Sequence, residues 1–181
     1  MPPLSDTHLI VIRGNSGSGK STVAQRLRLQ AGRGWALVEQ DFLRRIVLRE
    51  REHERDSHHG HGHHDTPSLA PAFIAHNVTF LLQHGYHVIL EGILHSPRYG
   101  DMLRTLAEAH NGPALFVYLD ASFEETVKRH ATRPQASEFT PAHMREWYSA
   151  RDLLGQPTEM VIPENSTLDQ TLAAITTAAG L

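Results

Sequence analysis

The 181-residue sequence predicts an α/β fold, a doubly wound parallel sheet with helices on both faces. Two observations predict it. Short apolar runs alternate with amphipathic stretches from one end of the chain to the other. The first such run, Leu9-Ile10-Val11-Ile12, leads directly into Gly14-Asn15-Ser16-Gly17-Ser18-Gly19-Lys20-Ser21 and then into a helical pattern. That octet has the form G-x-x-x-x-G-K-S, and the order strand, glycine-rich turn, helix is the context in which it binds phosphate. Glycines let backbone N–H groups converge on a polyphosphate, and the new helix adds its positive end. Lys20 is then expected to reach the β- and γ-phosphates, and the Ser21 hydroxyl to hold Mg²⁺. Thr22 follows on the helix, where Val23, Ala24 and Leu27 share an apolar face.

Composition narrows the function classes. A hydrophobic content of 40% with 20% charged residues is that of a soluble globular protein of one domain, residues 1–181. The formal charge of −3 gives no electrostatic reason to expect nucleic acid as a partner. Lysine occurs only at Lys20 and Lys128. The absence of cysteine excludes disulfides, thiolate metal sites and cysteine nucleophiles. No signal-peptide pattern opens the sequence and no apolar run reaches membrane-spanning length, so a cytoplasmic protein with no membrane partner is expected.

Gly32-Arg33-Gly34 breaks the first helix, and Trp35-Ala36-Leu37-Val38-Glu39 reads as the second strand. At its carboxyl end, where open α/β sheets gather ligands, stands Asp41. Asp41 is placed to act as a general base, and equally to cap a helix whose apolar side is Phe42, Leu43, Ile46 and Val47. Residues 51–65 follow, polar and carrying six of the fourteen histidines. Residues 53–66 read as a mobile loop, either a solvated low-complexity segment or a metal site.

Pro67 begins the next helix, with Phe73, Ile74, Val78, Phe80, Leu81 and Leu82 as its apolar side, and Gly85 ends it. Tyr86 to Leu90 is the third strand, with Glu91 at its carboxyl end, where P-loop proteins place the acid assisting Mg²⁺. His95 to Gly100 reads as a loop that brings Arg98 to the ligand face, before a helix with Met102, Leu103 and Leu106 inward. Ala114 to Asp120 is the fourth strand, and Ser122 with Glu125 has capping-box spacing. Arg129 and Arg133 lie four apart on one helical face before a polar stretch, so residues 129–140 suit a closing lid. Pro141 opens a further helix. Glu159 to Ile162 is the fifth strand, and a terminal helix from Leu168 to Ala179 is capped by Ser166 or Thr167.

With the P-loop after the first strand, Asp41 after the second, Glu91 after the third and arginines after the fourth, the whole chain resembles the small P-loop kinases. That group includes nucleoside monophosphate, shikimate and gluconate kinases, chloramphenicol phosphotransferase and zeta-toxin-type kinases. The resemblance implies a three-layer P-loop NTPase sandwich with strand order 2-3-1-4-5. It also implies transfer of the ATP γ-phosphoryl group to a hydroxyl of a small-molecule acceptor. On it, residues 14–22 bind nucleotide and Asp41 activates the acceptor, which Arg44, Arg45 and Arg98 help to hold. Ser21 and Glu91 then serve Mg²⁺, and Arg129 and Arg133 serve as lid arginines, with Arg129 and the loop around Pro163 and Glu164 flanking adenine. Glu91-Gly92-Ile93-Leu94-His95 departs from the D-G-[FY]-P-R pattern of adenylate kinases. A nucleoside or nucleotide kinase and a P-loop ATPase switch that binds a partner are the alternative readings.

Overall fold

The computed structural model describes residues 7–50, 68–132 and 140–181. Five strands, β1 (Leu9–Gly14), β2 (Trp35–Glu39), β3 (His87–Glu91), β4 (Ala114–Asp120) and β5 (Glu159–Pro163), form one sheet in the order β2-β3-β1-β4-β5. Every neighbouring pair is parallel. The helices are α1 (Lys20–Ala31), α2 (Ala70–Gln83), α3 (Ser96–Ala109), α4 (Phe123–Ala131), α5 (Pro141–Trp147) and α6 (Leu168–Ala179). This is the expected α/β sheet with strand order 2-3-1-4-5.

Side-chain alternation along the central strand builds the layers. Leu9 and Val11 of β1 join Ile74 and Val78 of α2 and Leu103 of α3 in one apolar cluster. Ile10 and Ile12 join Val23 and Leu27 of α1 and Leu172 and Ile175 of α6 in the other. Because the sheet is covered on both faces, β1 is buried along its whole length. Among the described residues no helix is long and apolar enough to cross a membrane.

Several local expectations are corrected. Residues Phe42–Val47 form a π-helical turn in which Leu48 N–H reaches back to the Leu43 carbonyl. The wider winding rotates the inward face. Arg44 is therefore buried and Leu43 packs on the core, while Phe42, Ile46 and Val47 are 53%, 63% and 49% exposed. Asp41 accepts no capping bond from this turn. In α2 the buried row is Ala70, Ile74, Val78 and Leu82, a run of four-residue steps that leaves Phe80 exposed and stacked on His84. Pro67 lies outside the described residues, and Pro71 occupies the first turn instead.

Residues 96–100 are helical because the carboxylate that caps them comes from far along the chain. Asp152 accepts from the Ser96 N–H at 2.8 Å and from the Ser96 hydroxyl. Strand three is shifted by one residue, leaving Tyr86 outside it and half-exposed. Ser122 caps α4, and Thr167 rather than Ser166 caps α6.

At the amino end of the sheet, His87 stacks on Trp35 with ring centroids 4.7 Å apart, and His8 leans on both rings. The His8 backbone N–H donates to His87 Nδ1 at 3.0 Å, so that nitrogen has to remain unprotonated. Burial, followed by charge on a neighbouring histidine, holds both imidazoles below their ordinary value near 6.5. With folded values below the unfolded one, stability is complete above about pH 6.5 and is lost as pH falls below it. His87→Phe is expected to flatten that decline between pH 6.5 and 5 in urea titrations. An unchanged slope would show that the cluster does not carry it.

Candidate functional site

The P-loop bridges β1 and α1, and its shape rests on glycines in backbone conformations that other residues avoid. Gly17 has φ +86°, and a Cβ there would stand 2.6 Å from the Thr126 carbonyl oxygen of α4. Gly19, φ +101°, sits at the start of α1. This alternation turns successive N–H groups toward one concavity, and α1 points its positive end at the same place. Lys20 is buried and donates from Nζ to the Asn15 carbonyl at 2.9 Å. The Ser18 Oγ is buried without a hydrogen-bond partner, a polar atom left for something bound in the loop.

β3 lies beside β1 in the sheet, with Ile12 level with Glu91, and this brings Glu91 to the loop. Ser21 Oγ donates to Glu91 Oε1 at 3.2 Å. Burial raises the Glu91 carboxyl above its usual range, and the Lys20 charge and the Ser21 hydrogen bond partly offset this. A hydroxyl and a buried carboxylate this close form the hard-oxygen donor set that suits Mg²⁺. Among the described residues no cluster of three or more histidines, aspartates or glutamates is arranged to hold a metal by itself.

On the α4 side, Gly19, Thr22, Arg129, Thr132, Pro163 and Glu164 line a cavity of about 420 Å³. Arg129 forms part of its wall. It donates from Nε to Glu125 (2.7 Å), from Nη1 to the Ser18 carbonyl (2.9 Å) and from Nη2 to the Glu164 carbonyl (2.7 Å). One guanidinium thus joins α4, the P-loop and the loop after β5. Its hydrogen bond to Glu125 lowers that carboxyl, and the Ser122 N–H lowers Glu164.

Across the carboxyl edge, Asp41 follows β2. Its Oδ1 accepts from Arg44 Nη2 at 3.0 Å, and Arg45 Nη1 lies 4.0 Å from Oδ2. Asp41 is 56% exposed while the Arg44 side chain is 6% exposed, so the carboxylate faces solvent and its partner lies behind it. Arg98 lies 3.5 Å from Glu50 and donates to Ser68 Oγ. Glu50 N–H donates to the Arg44 carbonyl, so Asp41, Arg44 and Arg98 belong to one connected set.

The structure therefore brings Lys20, Ser21 and Glu91 together, and it places Arg129 on the cavity wall. Gly14 and Ser16 stand in the loop, whereas the Asn15 side chain turns away to residue 149. Arg133, most of the 129–140 lid and the His-rich residues 53–66 lie outside the described residues. Sequence reading missed Arg13, Gln40, Glu50 and Asp152. Arg13 carried a visible signal, a charge at the end of an otherwise apolar strand entering the P-loop.

A family profile described as AAA domain matches residues 9–157, and the chain belongs to that family. No curated protein matches it. The chain is similar to the solved structure of Mycobacterium tuberculosis APS kinase in complex with AMPPNP and APS. The TM-score is 0.67 at 14% identity over 97% of this chain and 99% of that one. It is similar to a gluconokinase from Sinorhizobium meliloti, with TM-score 0.63 at 19% identity over 98% and 95% of the two chains. A tunicamycin resistance protein from Deinococcus radiodurans gives TM-score 0.60 at 15% identity over 97% and 96%. At these identities the likeness concerns the fold, which is that of the small P-loop kinases.

Gly17→Ala is expected to destabilise the protein more than Gly155→Ala in urea unfolding. Gly155 has a similar φ of +76° with nothing within 4 Å of its would-be Cβ, so it pays the backbone cost alone. That cost is about 1–3 kcal/mol, and Gly17 adds the clash with the Thr126 carbonyl. Equal losses at the two positions would contradict the close approach of α4 to the loop.

Proposed function

We propose that this protein is a Mg²⁺-ATP-dependent phosphotransferase that moves the γ-phosphoryl group to a hydroxyl of a small-molecule acceptor. The observation that carries the reading is the meeting of Lys20 with the Ser21–Glu91 pair at the sheet edge where Asp41 also stands. The cavity walled by Arg129, Pro163 and Glu164 receives the nucleoside end of ATP. The P-loop amides of residues 14–21 hold its phosphates, and Thr22 lines the same cavity. Ser21 and Glu91 would hold Mg²⁺, which would supply positive charge beside the phosphates when bound.

Lys20 leaves the Asn15 carbonyl for the transferring phosphoryl group and balances the charge that develops on it. Asp41 accepts the proton of the acceptor hydroxyl as the oxygen attacks phosphorus in line with the departing ADP oxygen. Arg44 fixes the Asp41 carboxylate from behind, while Arg45 and Arg98 stand on the acceptor side for an anionic or polar acceptor. Arg129 supplies positive charge at the P-loop, and Arg133 is assigned to the same work by its sequence position alone. An enzyme using ATP in this way is placed in the cytoplasm.

Asp41→Asn is expected to leave AMPPNP affinity within about threefold of wild type, because the carboxylate faces the acceptor. Phosphoryl transfer from γ-labelled ATP to the acceptor is expected to fall by at least about tenfold, the low end of general-base contributions. Transfer near the wild-type rate in this variant would remove Asp41 from the mechanism.

A further inference from the structure

The P-loop is fastened to a segment that no phosphate chemistry requires. Asn15 is 4% exposed, and its amide makes a matched pair with the Ser149 backbone. Nδ2 donates to the Ser149 carbonyl at 2.8 Å, and Oδ1 accepts from the Ser149 N–H at 3.0 Å. The same amide lies 3.5 Å from the Tyr118 hydroxyl, which accepts from the Asp152 N–H at 3.2 Å. Burial pushes the Tyr118 hydroxyl up to about 12, so it keeps its proton throughout the neutral range.

Asp152 then reaches the acceptor side. Its carboxylate caps α3 at Ser96, and both it and the Leu94 carbonyl are held by Arg13. Leu94 N–H donates to Gln40 Oε1 at 2.9 Å, and Gln40 is the residue before Asp41. An unbroken set of hydrogen bonds therefore runs from the P-loop through residues 149–152 to the turn at 94–96 and to the neighbour of Asp41.

The loop end of this set is where a bound nucleotide would act. Here the Asn15 carbonyl accepts both Lys20 Nζ at 2.9 Å and the Ser18 N–H at 3.1 Å. A bound γ-phosphate competes for the Lys20 ammonium and removes one of those donors. The peptide that changes partners belongs to the residue whose side chain grips Ser149.

We propose that Asn15 is a positioning residue that transmits nucleotide binding through residues 149–152 to the acceptor-side turn at 94–99. Filling the P-loop tightens the turn that carries Arg98 and borders Asp41, so the acceptor side is completed after ATP arrives. The inference rests on the P-loop being the seat of Mg²⁺-ATP.

Hydrogen exchange on the full-length protein, with and without saturating AMPPNP and Mg²⁺, tests it. In the wild type, amides of residues 14–21, 149–154 and 94–99 are expected to exchange more slowly with AMPPNP. The change at 94–99 is expected to be about fivefold or more, the lower end of ordinary coupling between sites. In Asn15→Ala, at an AMPPNP concentration that saturates the variant, the change at 94–99 is expected to drop below about twofold. Tyr118→Phe, a nearly isosteric change in the middle of the path, is expected to reduce the 94–99 response while protection at 14–21 is kept. An undiminished response at 94–99 in both variants would overturn the proposal, as would its absence in the wild type despite protection at 14–21. Absence of protection at 14–21 itself would remove the nucleotide reading, and this inference with it.

Discussion

One buried charge organises the functional edge of this molecule. Arg13, the last side chain before the P-loop glycine, is 0% exposed, and each of its five N–H groups has an acceptor. Nε and Nη2 donate to the Leu94 carbonyl, Nη1 to the Asp152 carbonyl and to Glu159, and Nη2 also to the Asp152 carboxylate. Removing a guanidinium from water is expensive, and only full pairing with good geometry repays it. Loss of one partner from such a set costs about 3–5 kcal/mol in general, because the remaining charges stay buried. The arrangement therefore allows very few positions for β1, β5, the 94–96 turn and the 149–152 segment relative to one another. The P-loop begins where this constraint ends, and the Asp152 carboxylate that pairs with Arg13 is the one that caps α3.

What was legible in the residues follows from how local the physics is. The octet at 14–21 states its own geometry, since glycine is needed wherever φ is positive and the backbone must approach a neighbour. The alternation of β1 between two apolar clusters is written in its side chains, and Ser122 and Thr167 signal their helices from within three residues. Features with partners far along the chain were hidden. The helical start at Ser96 depends on a carboxylate 56 residues away. The π-helical turn at 42–47 misled the reading because Phe42, Ile46 and Val47 suit an ordinary apolar face, yet the wider winding sends buried Arg44 inward. At the candidate site, Lys20 and Ser21 were legible from the glycine-rich octet and Glu91 from its place at a strand end, whereas the Asn15–Ser149 pair had no local signal.

The site divides its tasks between two sides of one sheet edge. On the α4 side, Arg129 ties together the elements that wall the cavity, with all three of its nitrogens engaged. On the other side, Asp41 is held outward by an arginine buried behind it, and Arg98 is tied back to Glu50 and Ser68. Glu91 stands between them, buried and hydrogen-bonded to Ser21. Likeness to solved kinase structures describes the frame, and the chemistry proposed for it rests on these side chains. The exposed apolar residues of the π-helical turn sit beside Asp41 in sequence, turned outward by the same wider winding that buries Arg44.

The central claim is phosphoryl transfer to a bound hydroxyl acceptor, and the most direct measurement is ADP release from Mg²⁺-ATP with and without candidate acceptors. A panel of nucleosides, nucleotides, sugar acids, shikimate and hydroxylated antibiotics spans the chemistry, with Lys20→Ala as background. The account predicts that one acceptor class raises turnover well above the basal rate in the wild type and leaves the Lys20→Ala variant unchanged. Steady turnover indifferent to every acceptor, yet abolished by Lys20→Ala, would contradict it and point to an ATPase switch.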